Sequence, residues 1–107
     1  MGIWSFLKSF RNRTLDDIAK EAIDHANNLA MCLAAEDWSG AEDCLREVEQ
    51  RVNILNSNSE ELNDNQREKL KTINELLEAL KASVKEHKWH DSLYIGRGLR
   101  NSFKKFS

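Results

Sequence analysis

The side chains best suited to chemistry are His87, His90 and Asp91, gathered around Trp89, together with His25 and the two cysteines, Cys32 and Cys44. If one helix runs through 87–91, His87 and Asp91 share a face, a spacing that can hold a metal ion. His90 then points elsewhere, so only two ligands converge, and a polar helix end is the simpler expectation. His25 and Cys32 are two helical turns apart, out of reach for a thiol–imidazole pair along one helix. Neither cysteine belongs to a Cys-x-x-Cys pair. Gly96-Arg97-Gly98 is too short for a phosphate-binding loop and follows no strand. The acids of the middle of the chain are spread around helical faces rather than paired in an apolar setting. Catalysis needs groups that converge in a pocket. This pattern points to a protein that is not an enzyme and uses neither cofactor nor metal.

The elements that would position these residues read as helices. There is no proline, and Gly2, Gly40, Gly96 and Gly98 are the only glycines, too few breakers for an all-β domain of this size. Thr14 is a good N-cap, with Asp16 and Asp17 in the first turn. Leu15, Ile18, Ala19, Ala22, Ile23, Ala26, Leu29, Ala30 and Leu33 then form an apolar stripe on a helix over about 15–35. Residues 36–40, EDWSG, read as a tight turn in which Asp37 or Ser39 caps the next helix, Ser39 with Glu42 making a capping box. The second helix covers about 39–56, with Ala41, Cys44, Leu45, Val48, Val52 and Leu55 on its buried face. In an antiparallel hairpin Cys32 and Cys44 could face each other, although two small buried thiols is the plainer expectation. Residues 53–65 read as a loop. Asn63 caps a third helix, with Gln66 at the capping-box position, and its stripe continues to about 88. Residues 91–105 read as a marginal fourth helix, hinged at Gly96 and Gly98. Residues 3–10 form a short amphipathic segment, and no internal repeat is visible. The expected architecture is all-α: an antiparallel three- to four-helix bundle over 14–107, preceded by an amphipathic N-terminal segment over 1–13.

Of the 107 residues, 40% are apolar and 32% charged, which suits one small globular domain. The net charge of −2 hides an asymmetry: residues 1–14 and 87–107 are basic, whereas 15–66 are strongly acidic. That distribution argues against nucleic acid as a partner, which needs a concentrated basic face. No apolar run is long enough to span a membrane, the N-terminus lacks a signal peptide, and a cytoplasmic location is expected.

The run LAAEDWSGAEDCLREVEQRVNIL, residues 33–55, resembles the flagellar export chaperones of the FliT type. In that family a helix ends in an acidic residue and a tryptophan, and the next helix carries spaced apolar residues, acids and an arginine before a leucine. The matching positions are Glu36, Asp37, Trp38, Leu45, Glu49, Arg51 and Leu55. The third helix follows in the expected order, and the basic end with Gly96-Arg97-Gly98 is similar to the family's tail. The resemblance covers 15–106, with a specific part of some twenty residues; the aromatic segment 1–12 departs from it. It implies a four-helix bundle that keeps a filament-cap subunit soluble, with the final helix as a lid over the binding face.

The functional expectation is therefore a chaperone or adaptor whose partner is a helical segment of another protein. The partner-binding candidates are Leu93, Tyr94, Ile95, Leu99, Phe103 and Phe106. Ile3, Trp4, Phe6, Leu7 and Phe10 are a second docking element, for a partner or for weak contact with a membrane surface. Two alternatives stand beside this: a peripheral membrane module anchored by that segment, and a structural homodimer.

Overall fold

A computed structural model describes residues 15–106 as four α-helices: α1 (Leu15–Ala34), α2 (Trp38–Ser57), α3 (Asp64–Lys85) and α4 (Trp89–Phe106). The expectations for Ile3, Trp4, Phe6, Leu7, Phe10 and Thr14 lie outside the described residues. The all-helical bundle is as expected, and no strand occurs among the described residues.

α2 is capped by Asp37, whose carboxylate accepts from the Gly40 amide at 3.0 Å; the expected box between Ser39 and Glu42 is not used. Asn63 and Gln66 do form the reciprocal box at the start of α3, at 2.8 and 3.1 Å. α2 runs on to Ser57 through the first part of the expected loop, and a single 3-10 turn, Ser59–Glu61, follows before α3. Arg67 fastens it by donating to the carbonyls of Ser59 and Glu60, each at 2.9 Å. Leu62 seals the core beneath it.

Two expectations need correcting. The third helix ends at Lys85 rather than near 88, because His87 takes a left-handed conformation at φ 54° that stops the helix. His87 and Asp91 therefore do not share a helical face. The fourth helix is continuous and unhinged. Gly96 is buried in it against Leu33, where a Cβ would meet Leu33 Cδ1 at 2.9 Å. The glycine that looked like a weak point is a close-approach contact between α4 and α1.

The structure also shows a likeness that the sequence, which has no visible repeat, does not display. The turns after α1 and α3 are the same structure. Glu36 and His87 both have positive φ. The Asp37 amide reaches the Cys32 carbonyl and the Lys88 amide reaches the Ser83 carbonyl, both at 2.9 Å. A tryptophan then opens the following helix in each case. Superimposing Trp38 on Trp89 in sequence also aligns the buried positions. Ala19, Ala22, Ala26, Leu29 and Leu33 fall on Leu70, Ile73, Leu77, Leu80 and Val84. Ala41, Leu45, Val48, Val52 and Leu55 fall on Ser92, Gly96, Leu99, Phe103 and Phe106, and every one of these residues is buried. The described residues thus form two helical hairpins of the same pattern. The two turns meet at one end of the bundle, where Trp38 stacks on His87 at 5.0 Å and meets Trp89 edge-on at 5.9 Å.

Candidate functional site

The two hairpins meet along two seams, and these differ. α1 packs closely on α4, whereas α2 and α3 touch only sparsely. The equivalence of the hairpins supplies the physical reason. At the closed seam Leu33 lies over Gly96, and the antiparallel register carries Phe103 and Phe106 to the level of Ala26 and Ala22. Large side chains face small ones, and the backbones approach. At the other seam the positions of Leu33 and Gly96 are occupied by Val84 and Leu45. Both are branched, neither yields room to the other, and the helices stand apart.

The result is a groove of about 300 Å³ between α2 and α3. Leu45 and Val84 line its floor; Glu42, Arg46 and Glu49 from α2 and Lys81 and Lys85 from α3 line its walls. Lys81 reaches Glu49 at 2.6 Å and Glu78 at 3.6 Å. The hydrogen bond to Glu49 raises the Lys81 pKa above the ordinary lysine range, against the opposing effect of burial. At the far end of the seam Asn56 and Asn74 exchange amide hydrogen bonds at 3.0 Å. Polar clasps thus span the seam at two levels while its floor stays apolar. On the opposite face of α2, Arg51 pairs with Glu47 and, at 3.2 Å, with Glu21 of α1. These contacts tie α2 to its own hairpin.

The residues expected to bind a partner do not form one surface. Leu99, Phe103 and Phe106 are core residues, at 0%, 0% and 2% exposure. Leu93 and Ile95 are half-buried, and Tyr94 is 81% exposed. Tyr94 and Ile95 border a second shallow hollow, between α3 and α4, with Ala79, Ala82 and Lys88. The histidines do not converge either. His87 stacks on Trp38, and His90 is exposed on the first turn of α4. His25 stands on α1, 3.9 Å from a Glu47 carboxylate oxygen. No group of three or more His, Cys, Asp or Glu side chains that could hold a metal ion occurs among the described residues, and no helix there is long and apolar enough to cross a membrane.

Reading the sequence missed the groove. Leu45 and Val84 sit on the predicted core stripes, and nothing in one stripe says how far the neighbouring helix stands away. The available signal was the unequal volume of equivalent residues in the two hairpins, which becomes visible only once the repeat is recognised. No protein-family model, no curated protein and no solved structure matches the chain.

Proposed function

We propose that this protein is a non-enzymatic binding module that takes an amphipathic helix of a partner protein into the α2–α3 groove. The observation that supports this reading is the open seam itself, an apolar floor of Leu45 and Val84 between walls of charged side chains. Such a groove suits a helix that lays apolar residues at three- and four-residue spacing onto the floor and polar residues against the walls. The α2 wall offers Glu42 and Glu49 with Arg46 between them, and the α3 wall offers Lys81 and Lys85. A partner helix with basic residues on one flank and acidic residues on the other would be held in a single orientation.

This places binding away from α4. A partner could use Leu99, Phe103 and Phe106 only by displacing a helix that fills the core, whereas entry to the groove displaces no helix and parts only the Lys81–Glu49 ion pair across it. A client helix kept from premature assembly is the kind of occupant that the resemblance to flagellar export chaperones implies, so that reading and the groove agree on the chemistry of the partner.

The test is site-specific photo-crosslinking in native lysate, with the photoreactive residue at Arg46 in the groove or at Asn28 on the exposed face of α1. Capture from position 46 alone, reduced by Glu49→Lys and not regained in Glu49→Lys with Lys81→Glu, which restores the internal ion pair but reverses the charge of both walls, is the expected result. Equal capture from position 28, or captured segments without an amphipathic helical pattern, would sink the proposal.

A further inference from the structure

We propose that Cys32 and Cys44 form a modification site, a dithiol that a small-molecule disulfide such as oxidised glutathione converts into an intramolecular disulfide joining α1 to α2. The proposal is independent of what occupies the groove.

Three observations carry it. First, the two thiols lie on the facing sides of the hairpin. Gly40 makes room for this. A Cβ on Gly40 would stand 3.0 Å from Cys32 Sγ, and Gly40 lies one helical turn before Cys44 on the same face of α2. Second, both cysteines are free and only half-buried, so a small reagent can reach them. Third, packing does not require sulfur here. In the second hairpin the equivalent positions are Ser83 and Ile95, and Ser83 bonds instead to the Ser92 hydroxyl at 2.7 Å. One hairpin folds without thiols at these positions, and the other carries two on its facing sides.

Burial pushes the Cys44 thiol up to about 11, with Cys32, Asp43 and Asp37 adding to the effect. Either thiol can open the exchange once it has lost its proton, and the steps are the same with the two exchanged. Starting at Cys32, the thiolate attacks one sulfur of glutathione disulfide, the glutathione S–S bond breaks, and one glutathione leaves as a thiolate that takes up a proton. Cys44 then loses its proton and attacks Cys32 Sγ. The Cys32–Cys44 bond forms as the second glutathione departs. Two protein thiols are oxidised and one glutathione disulfide is reduced to two thiols. The product ties the helices on either side of the Trp38 turn, closing a short loop that stays local to one hairpin.

Folded full-length protein is incubated with oxidised glutathione, quenched with acid, digested with trypsin without reduction, and weighed. Cleavage after Lys20 and Arg46 leaves both cysteines in one peptide. The expected product is that peptide lighter by two hydrogen atoms, formed without a change in helical content. Cys44→Ser should instead stop at a glutathione adduct on Cys32. The inference is overturned if the wild-type chain ends with separate adducts on both cysteines, links to a second chain, or keeps both thiols free. It is equally overturned if Cys44→Ser accumulates no adduct.

Discussion

The two glycines of α4 give a paired test of the seam argument. Gly96 and Gly98 lie on the same helix, and by propensity alone each replacement by alanine should stabilise the protein by about 1 kcal/mol. Their surroundings differ. At Gly98 a new Cβ would lie 3.8 Å from Leu76 Cδ1, an ordinary contact, so Gly98→Ala should gain roughly 0.5–1 kcal/mol. At Gly96 it would lie 2.9 Å from Leu33 Cδ1, and Leu33 is wholly buried. Its methyl can rotate, but only into a filled core, and overpacking of this kind costs about 1–3 kcal/mol. Set against the propensity gain, Gly96→Ala should come out destabilised by about 1 kcal/mol. The two variants should therefore move in opposite directions, separated by about 2 kcal/mol, or roughly 8–16 °C in Tm for a domain of this size. Urea denaturation followed by circular dichroism measures both. Trimming the clashing residue, in Gly96→Ala with Leu33→Ala, should cost less than the sum of the single changes, because the two side chains share one space. If Gly96→Ala is as stabilising as Gly98→Ala, then α1 and α4 do not approach as described, and the explanation of the open α2–α3 seam by contrast with a closed one fails.

Two further outcomes follow from the same geometry. Phe103→Ala should cost about 3–5 kcal/mol, since Phe103 is fully buried; a loss below about 1 kcal/mol would mean that α4 is loosely held and would revive the lid as a binding element. Cys44, its pKa raised above the ordinary thiol value by burial, binds its proton more tightly in the folded chain than in the unfolded one. The resulting stability is present below about pH 9 and is lost as the pH rises towards 11. Lys81, whose pKa is raised by Glu49, acts in the same direction at higher pH. Alkaline denaturation curves of wild type and Cys44→Ser share the Lys81 contribution, so the wild type should lose more stability across that window; parallel curves would count against a buried, protonated Cys44.

The sequence by itself determined the helical class and most of each helix. Apolar residues at three- and four-residue spacing define which face of a helix leaves water, and Asn63 with Gln66 marks a helix start, because both are local properties of the chain. Its failures came where local propensity met tertiary contact. Gly96 weakens an isolated helix and so looked like a hinge, yet in the folded chain its missing Cβ is what lets Leu33 in. His87 fitted a continuing helix until the left-handed turn stopped it. The hairpin repeat was hidden because alanines in one copy stand where leucines and isoleucines stand in the other, so residue identity is lost while burial is kept. Only the tertiary structure decided which seam closes and which stays open. That outcome depends on the summed volume of side chains brought together from helices far apart in sequence, Leu33 with Gly96 and Leu45 with Val84, and no single stripe contains that sum.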